Sequence, residues 1–408
     1  PTLDGTLPAL VPDAQPSDSH VFRCPAGSFN ELDYPAMGRA KSRFGRNFWV
    51  DAEPEDQLLE PNPRLISNRL LKRTTFKEAE SLNLLAAAWI QFQVHDWFDH
   101  GFNDEKQPPF EIPIGMPDNW AERPMKIKRT QPESTRTPQE DPKLPPTFLN
   151  TASHWWDASA IYGSEQNLTE SLRKDKGKGK DAELRMDNGL LPYDQKTKRV
   201  CTGLANNWWI GLEILHTLFA LEHNAICHRL RLEYPNWDDE QVFQTARLVT
   251  AALIAKIHML EWTPALLGHD TLQFGMKAKW WGIVGERFTK LFGRLTKKGT
   301  VLSGIPGSER DHAGVPFALT EEFVSVYRMH PLLPDTIQFR RLSDDDVVGE
   351  PVKLEDTLRE KSRPSFVDKG LSIPDIFYSM GVAHPGALAL HNYPEFLRKL
   401  TMPPGEAP

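Results

Sequence analysis

Cysteine is nearly absent: three in 408 residues, Cys24, Cys201 and Cys227, at spacings that fit neither a disulfide framework nor a paired-cysteine metal site. A reducing, intracellular setting is therefore expected, and simple packed thiols account for the same residues. No run of about 18 apolar residues occurs, so no segment is expected to span a membrane. The first thirty residues hold Pro, Asp and Ser where a secretory leader needs an apolar stretch. Positive charge is not in excess: the net charge is −7, which removes the usual electrostatic reason to expect nucleic acid. Strand-like alternation is scarce, and neither a repeat nor a linker-like internal boundary is evident. Tyrosine is also sparse, 7 against 12 Trp and 21 Phe. A broad flat cofactor, an acyl chain or a large helical core would each use such rings.

What remains is helical. Residues 1–70, rich in Pro, Asp and Asn, read as an irregular arm, and 71–408 as one mainly α-helical domain. The spacing predicts a helix over 76–98 with Thr75 as N-cap and Glu78 completing a capping box. Further helices are expected over 207–234, over 238–260, and from Thr320 to a stop at Pro331. Residues 107–148 read as a long surface loop, and the lysine- and glycine-rich stretch 173–194 as a solvated hairpin or loop. The segment 278–298, AKWWGIVGERFTKLFGRLTKK, reads as a basic amphipathic helix. Packing on the domain is the favoured account of it, and contact with a lipid surface the alternative.

Three segments carry chemistry. In WIQFQVHDWF, Gln91 and His95 lie four apart and share a helix face, while Asp96 points about a quarter-turn away. In SHWWDASAIYGS, Ser153, Trp155, Asp157 and Ser159 alternate; hydroxyls, a carbonyl and a carboxylate are the hard oxygen donors calcium prefers, although an ordinary turn would look the same. In SVYRMHPLLPD, Tyr327 and His330 lie three apart near a helix end. A neutral imidazole is a good axial ligand for haem iron, and a phenol beside it can be oxidised to a radical.

YRMHPLLPD resembles the Tyr-x-x-His-Pro-Leu-x-Pro-Asp element of the cyclooxygenases and fatty-acid α-dioxygenases, within the animal haem peroxidase superfamily. The resemblance implies that His330 is the proximal ligand of haem b and that Tyr327 forms the hydrogen-abstracting radical. QFQVHDW is similar to the distal element, which implies that His95 and Gln91 face the haem and that Asp96 binds calcium. SHWWDASAIYGS resembles the calcium loop, and LHTLFALEHNAICHRL the helix with the Glu-His-Asn signature, here Glu222, His223 and Asn224. The order and separations match over Asn62 to Leu400.

Departures select a branch. Ala205, Trp208 and Val94 stand where mammalian peroxidases carry a peroxide-acting arginine and two haem-esterifying carboxylates. The plant-type α-dioxygenases resemble this chain more closely, with His258 and Thr263 where that branch holds the fatty-acid carboxylate. Pro264 is expected to push Thr263 out of helical geometry so that both turn to one point, and His258 is expected to be protonated. The resemblance thus implies O2 addition at carbon 2 of long-chain fatty acids. A hydrogen-peroxide-using haem peroxidase, a mid-chain dioxygenase and a non-catalytic relic are the alternatives. Family elements expected after Pro394 lie beyond Pro408, so a separate fragment or second chain is expected to complete the domain.

Overall fold

The computed structural model describes residues 22–399 apart from 33, 48–54, 134–145, 176, 178, 297 and 309–317. Residues 1–21, part of the 1–70 stretch read above as an irregular arm, and residues 400–408 lie outside the described residues. The fold is mainly α. Among the described residues, strand occurs only as five two-stranded antiparallel ladders. The helices of eight residues or more are α1 (Leu85–Trp97), α2 (Ile210–Glu233), α3 (Asp239–Ile257), α4 (Asp270–Trp281), α5 (Gly285–Phe292) and α6 (Ile373–Val382). None is long and apolar enough to cross a membrane.

α1, α2 and α3 pack in sequence and carry the main core. α1 holds no Pro or Gly, and Ala87, Ala88, Trp89, Ile90, Phe92 and Trp97 are all buried, as in a helix covered on most of its faces. Its Phe92 ring stacks on Phe219 of α2, centroids 5.2 Å apart. α3 opens with a capping box that the sequence reading did not single out, Asp238 accepting from the Gln241 backbone N–H at 2.8 Å and the Gln241 side chain accepting from Asp238 N at 3.2 Å.

Four local expectations change. α1 begins at Leu85, not at 76, and its N-cap Leu84 makes no side-chain cap. Residues 76–84 are instead tied to a distant segment: Ala79 N donates to Pro385 O, Leu84 N to Met380 O, and Glu78 bridges Gly386. Tertiary hydrogen bonds override the local capping pattern there. The 107–148 loop contains a ladder, Phe110–Ile112 with Met125–Ile127. The predicted 278–298 helix is broken at Gly282 into α4 and α5, because Gly282 has φ +74° and a Cβ there would strike the Leu302 carbonyl.

The hairpin Arg173–Asp175 with Lys180–Leu184 is not merely solvated. Ala182 and Leu184 are buried against α2 and α3. The Glu-His-Asn signature is the fastener: Asn224 accepts from Leu184 N (2.8 Å) and donates to Leu184 O (3.0 Å). His223 Nε2 donates to Ala182 O at 3.0 Å, which leaves Nδ1 to accept from the Tyr162 hydroxyl at 2.8 Å. Burial pushes His223 down to about 4, so this neutral tautomer persists at neutral pH. Removing the ring strands two buried partners, each costing about 1–3 kcal/mol. His223→Ala is expected to lower the free energy of urea unfolding by roughly 2–5 kcal/mol; an unchanged urea midpoint would refute the fastener role.

Candidate active site

A cavity of about 610 Å³ lies between α1 and the segment 327–333. α1 sends Gln91 and His95 into it from one face, as the four-residue spacing predicts, and Tyr327 and His330 meet them from the other side. The helix that starts at Thr320 is real, with Thr320 Oγ1 accepting from Phe323 N at 3.2 Å, but it ends at Val326. Tyr327 and His330 therefore do not share a helix face. The Pro331 ring would collide with the Tyr327 carbonyl in a continued helix, so the chain kinks and restarts as a single 3₁₀ turn, His330–Leu332. The kink still delivers both side chains to the cavity.

Desolvation governs the titratable groups. Burial lowers His95 to about 4, against the Asp99 carboxylate and with help from the Arg328 guanidinium. Burial, again with Arg328, brings His330 to about 4, and burial raises the Tyr327 phenol. At neutral pH both imidazoles are neutral: His330 can donate a lone pair and His95 can accept a proton. His95 Nδ1 is buried without a partner, and no described residue hydrogen-bonds the His330 ring. The Gln91 amide donates to Asn207 O at 3.0 Å. Ile90, Leu333 and Leu358 give the walls an apolar character. Two neutral imidazoles, one from α1 and one from the 3₁₀ turn, on a single cavity of this size fit a haem-type macrocycle.

Trp208 lines the cavity with its indole tied to buried Glu213 (2.8 Å), which Arg363 holds at 2.5 Å. A position that esterifies haem elsewhere is here a fixed apolar wall.

His258 and Thr263 lie behind Tyr327 and are not among the residues lining this cavity. Trp97 joins the two places: its ring is 5.9 Å from Tyr327 and 5.1 Å from His258. Trp156 stacks on Trp97 at 5.2 Å, and Trp89 and Trp262 complete a tryptophan surround of His258. Two expectations are corrected here. Thr263 keeps helical angles (φ −61°, ψ −45°). The chain instead widens to a π-turn over His258–Trp262, whose i to i+5 pitch lets the Thr263 hydroxyl reach His258 O at 2.9 Å. His258 is also neutral, not protonated: burial puts it at about 4, and Nδ1 accepts from Trp89 Nε1 at 3.2 Å. The tryptophan surround escaped the sequence reading, because only Trp262 is near His258 in sequence, while Trp89, Trp97 and Trp156 arrive from distant segments.

On the far side of α1 the calcium candidates converge in part. Asp96 is buried, and burial with the nearby Asp157 raises its pKa well above the ordinary range. Asp96 accepts from Ala160 N (3.4 Å), Asp157 from Ser159 Oγ (2.5 Å), and Asp157 Oδ2 has no partner. The Ser153 hydroxyl is engaged by Trp155 N, and the Trp155 carbonyl by Asp157 N. The Trp155 indole points elsewhere, to Met37 O. Among the described residues no group of three or more His, Cys, Asp or Glu stands ready to hold a metal. The orphaned Asp157 oxygen beside a second buried carboxylate nevertheless fits a hard cation.

Comparison with known proteins follows the same lines. The profile of the family described as animal haem peroxidase matches residues 22–407. Alpha-dioxygenase PIOX of Nicotiana tabacum is 37% identical over 95% of this chain, and Alpha-dioxygenase 1 of Capsicum annuum 38% over 94%. The chain spans 59% of the length of each. Among solved structures, fatty acid alpha-dioxygenase of Oryza sativa with palmitic acid superposes with a TM-score of 0.86 at 31% identity, covering 97% of this chain and 64% of that one. The Arabidopsis thaliana enzyme gives 0.84 at 32%, covering 95% and 60%.

Neutral buried histidines also set an acid limit. His95, His154, His223, His258 and His330 sit at about 4 when folded, against an ordinary value of 6.5. Between those values the unfolded chain binds more protons, so stability falls as pH falls through that window. The urea midpoint is expected to be nearly constant from pH 8 to 7 and to drop steeply from 6.5 towards 4. A flat profile to pH 4 would contradict this.

Proposed function

The chain belongs to the animal haem peroxidase family, and we propose that it is the catalytic part of a fatty-acid α-dioxygenase, adding O2 at carbon 2 of long-chain fatty acids. The observation that carries the reading is the meeting of Gln91 and His95 with Tyr327 and His330 on one cavity, with Trp97 linking Tyr327 to His258. His330 would hold haem b through its neutral ring, and when bound the haem supplies the one-electron oxidising power that the peptide lacks. His95, neutral and buried on the same cavity, would take and return a proton there, a role worth roughly 10² to 10⁴ in rate.

Tyr327 loses one electron to the oxidising equivalent that the bound haem would supply and its phenolic proton to water, and so becomes a phenoxyl radical. That radical removes a hydrogen atom from the carbon next to the substrate carboxylate. O2 joins the carbon radical, and the peroxyl recovers a hydrogen atom from Tyr327, leaving a 2-hydroperoxy acid. Loss of CO2 and water from that product yields the aldehyde one carbon shorter. Because every methylene of an acyl chain is alike, position must come from fixing the carboxylate. His258 and Thr263 are the proposed carboxylate anchors, supported by the Trp97 ring, which is 5.9 Å from Tyr327 and 5.1 Å from His258. A neutral His258 receives a carboxylate as an N–H donor, or takes up a proton as the anion arrives. Each further buried methylene adds about 0.8 kcal/mol, which favours long chains.

Asp96 and Asp157, with the Ser153 and Ser159 hydroxyls and the Trp155 carbonyl, are the proposed calcium donors; the unpartnered Asp157 oxygen supports this. The 59% coverage of the relatives supports a further segment or second chain as partner.

Tyr327→Phe is expected to reduce O2 uptake with palmitic acid more than about 100-fold while the Soret band of bound haem is retained. Full uptake in that variant would end the radical proposal. His258→Ala is expected to raise KM about 10-fold or more, the loss of one strong hydrogen bond; unchanged KM and an unchanged carbon 2 product would remove His258 from the site.

A further inference from the structure

Charge is segregated along this acidic chain. Residues 274–305 hold seven Lys or Arg and a single acid, Glu286, against a net −7 for the whole. The same stretch is apolar where it should be polar. α4 and α5 have no buried residue, yet Phe274 is 68% exposed, Ile283 60%, Leu291 77%, Phe292 73% and Val301 71%. The turn at Gly282 folds α5 back on α4, and Phe288 meets Phe292 at 4.9 Å. The packing favoured from the sequence is thus only half of the arrangement, since the α4–α5 pair leaves an apolar surface open. Lys277, Lys279, Arg287, Lys290 and Lys298 are exposed around it, and Lys256 and Lys290 lie over the Trp281 ring at 5.4 and 5.9 Å.

Soluble proteins rarely leave such a patch without a partner, and its basic rim names the chemistry of that partner. We propose that α4, α5 and the short helical turn Thr300–Ser303 dock on an anionic lipid surface, with Leu291, Phe292 and Val301 entering the headgroup boundary and the exposed lysines meeting lipid phosphates and carboxylates. A second copy fits poorly, because a two-fold contact would press one basic rim against the other. The position is apt for an enzyme of long-chain acids: α4 packs on the π-turn that carries His258 and leads into Thr263, so docking turns that element toward the membrane. This goes beyond the oxygenase reading, and its test measures vesicle binding without turnover, so either can fail alone.

The test is co-sedimentation of the full 408-residue chain with vesicles of phosphatidylcholine alone or mixed equally with phosphatidylserine. Binding is expected to the mixed vesicles, at least about 10-fold stronger than to phosphatidylcholine, and weakened near 1 M salt, where the screening length is about 3 Å. The double variant Leu291→Glu, Phe292→Glu is expected to lose about 10-fold or more with an unchanged thermal unfolding curve, since both side chains are exposed. Lys279→Glu with Lys290→Glu is expected to remove the preference for phosphatidylserine. No binding to mixed vesicles, equal binding to both kinds, or unaltered binding by the variants overturns the proposal. So does a dimer in the absence of lipid that the Leu291→Glu, Phe292→Glu change dissociates, which would show the patch to be a contact between copies.

Discussion

The site depends on the burial of α1 against α2. The Phe92–Phe219 stack and the alanines beside it fix the rotation of α1, and that rotation assigns every other side chain on the helix. Gln91 and His95 must face the cavity, Asp96 must face Asp157, and Trp97 must lie between Tyr327 and His258. A turn of about 100° per residue separates these destinations, so no one of them can be moved without moving the rest. Thirteen residues thereby serve a cofactor slot, a candidate cation site and a substrate surround.

Desolvation is the second theme. The imidazoles that matter are held neutral by burial, with no need of a carboxylate partner. For His330 this leaves the lone pair that a metal requires. For His258 it means that recognition of an acid begins from a neutral ring inside a tryptophan surround. Charged side chains do reach the cavity, among them Asp99, Arg328, Glu355 and Arg359, whereas the rings packed against His258 are tryptophans.

The sequence made the long helices and half of the site readable, for definite reasons. Gln91 and His95 are related by a local period, and the Asp238 and Thr320 caps are local hydrogen bonds. The misplaced start of α1 comes from bonds that Ala79 and Leu84 make to Pro385 and Met380, some 300 positions away, which no window of sequence contains. The π-turn at His258 inserts one residue into a helical period, so a 3.6-residue pattern misreads the relation of His258 to Thr263. The kink before His330 hides in a motif whose proline is visible but whose side-chain directions are not. Trp89, Trp97 and Trp156 reach His258 from other segments, and only the folded chain brings them to it.

The central claim, that Tyr327 and His258 are arranged to act at the carbon beside a carboxylate, is tested most directly with isotopically labelled substrate. The haem-reconstituted protein would be given palmitic acid carrying deuterium at both carbon 2 positions, with O2 uptake and the deuterium content of the product recorded. The account predicts slower uptake than with unlabelled acid and a 2-hydroperoxide retaining one deuterium. Uptake at an unchanged rate, with both deuteriums kept and oxygen elsewhere on the chain, would contradict it.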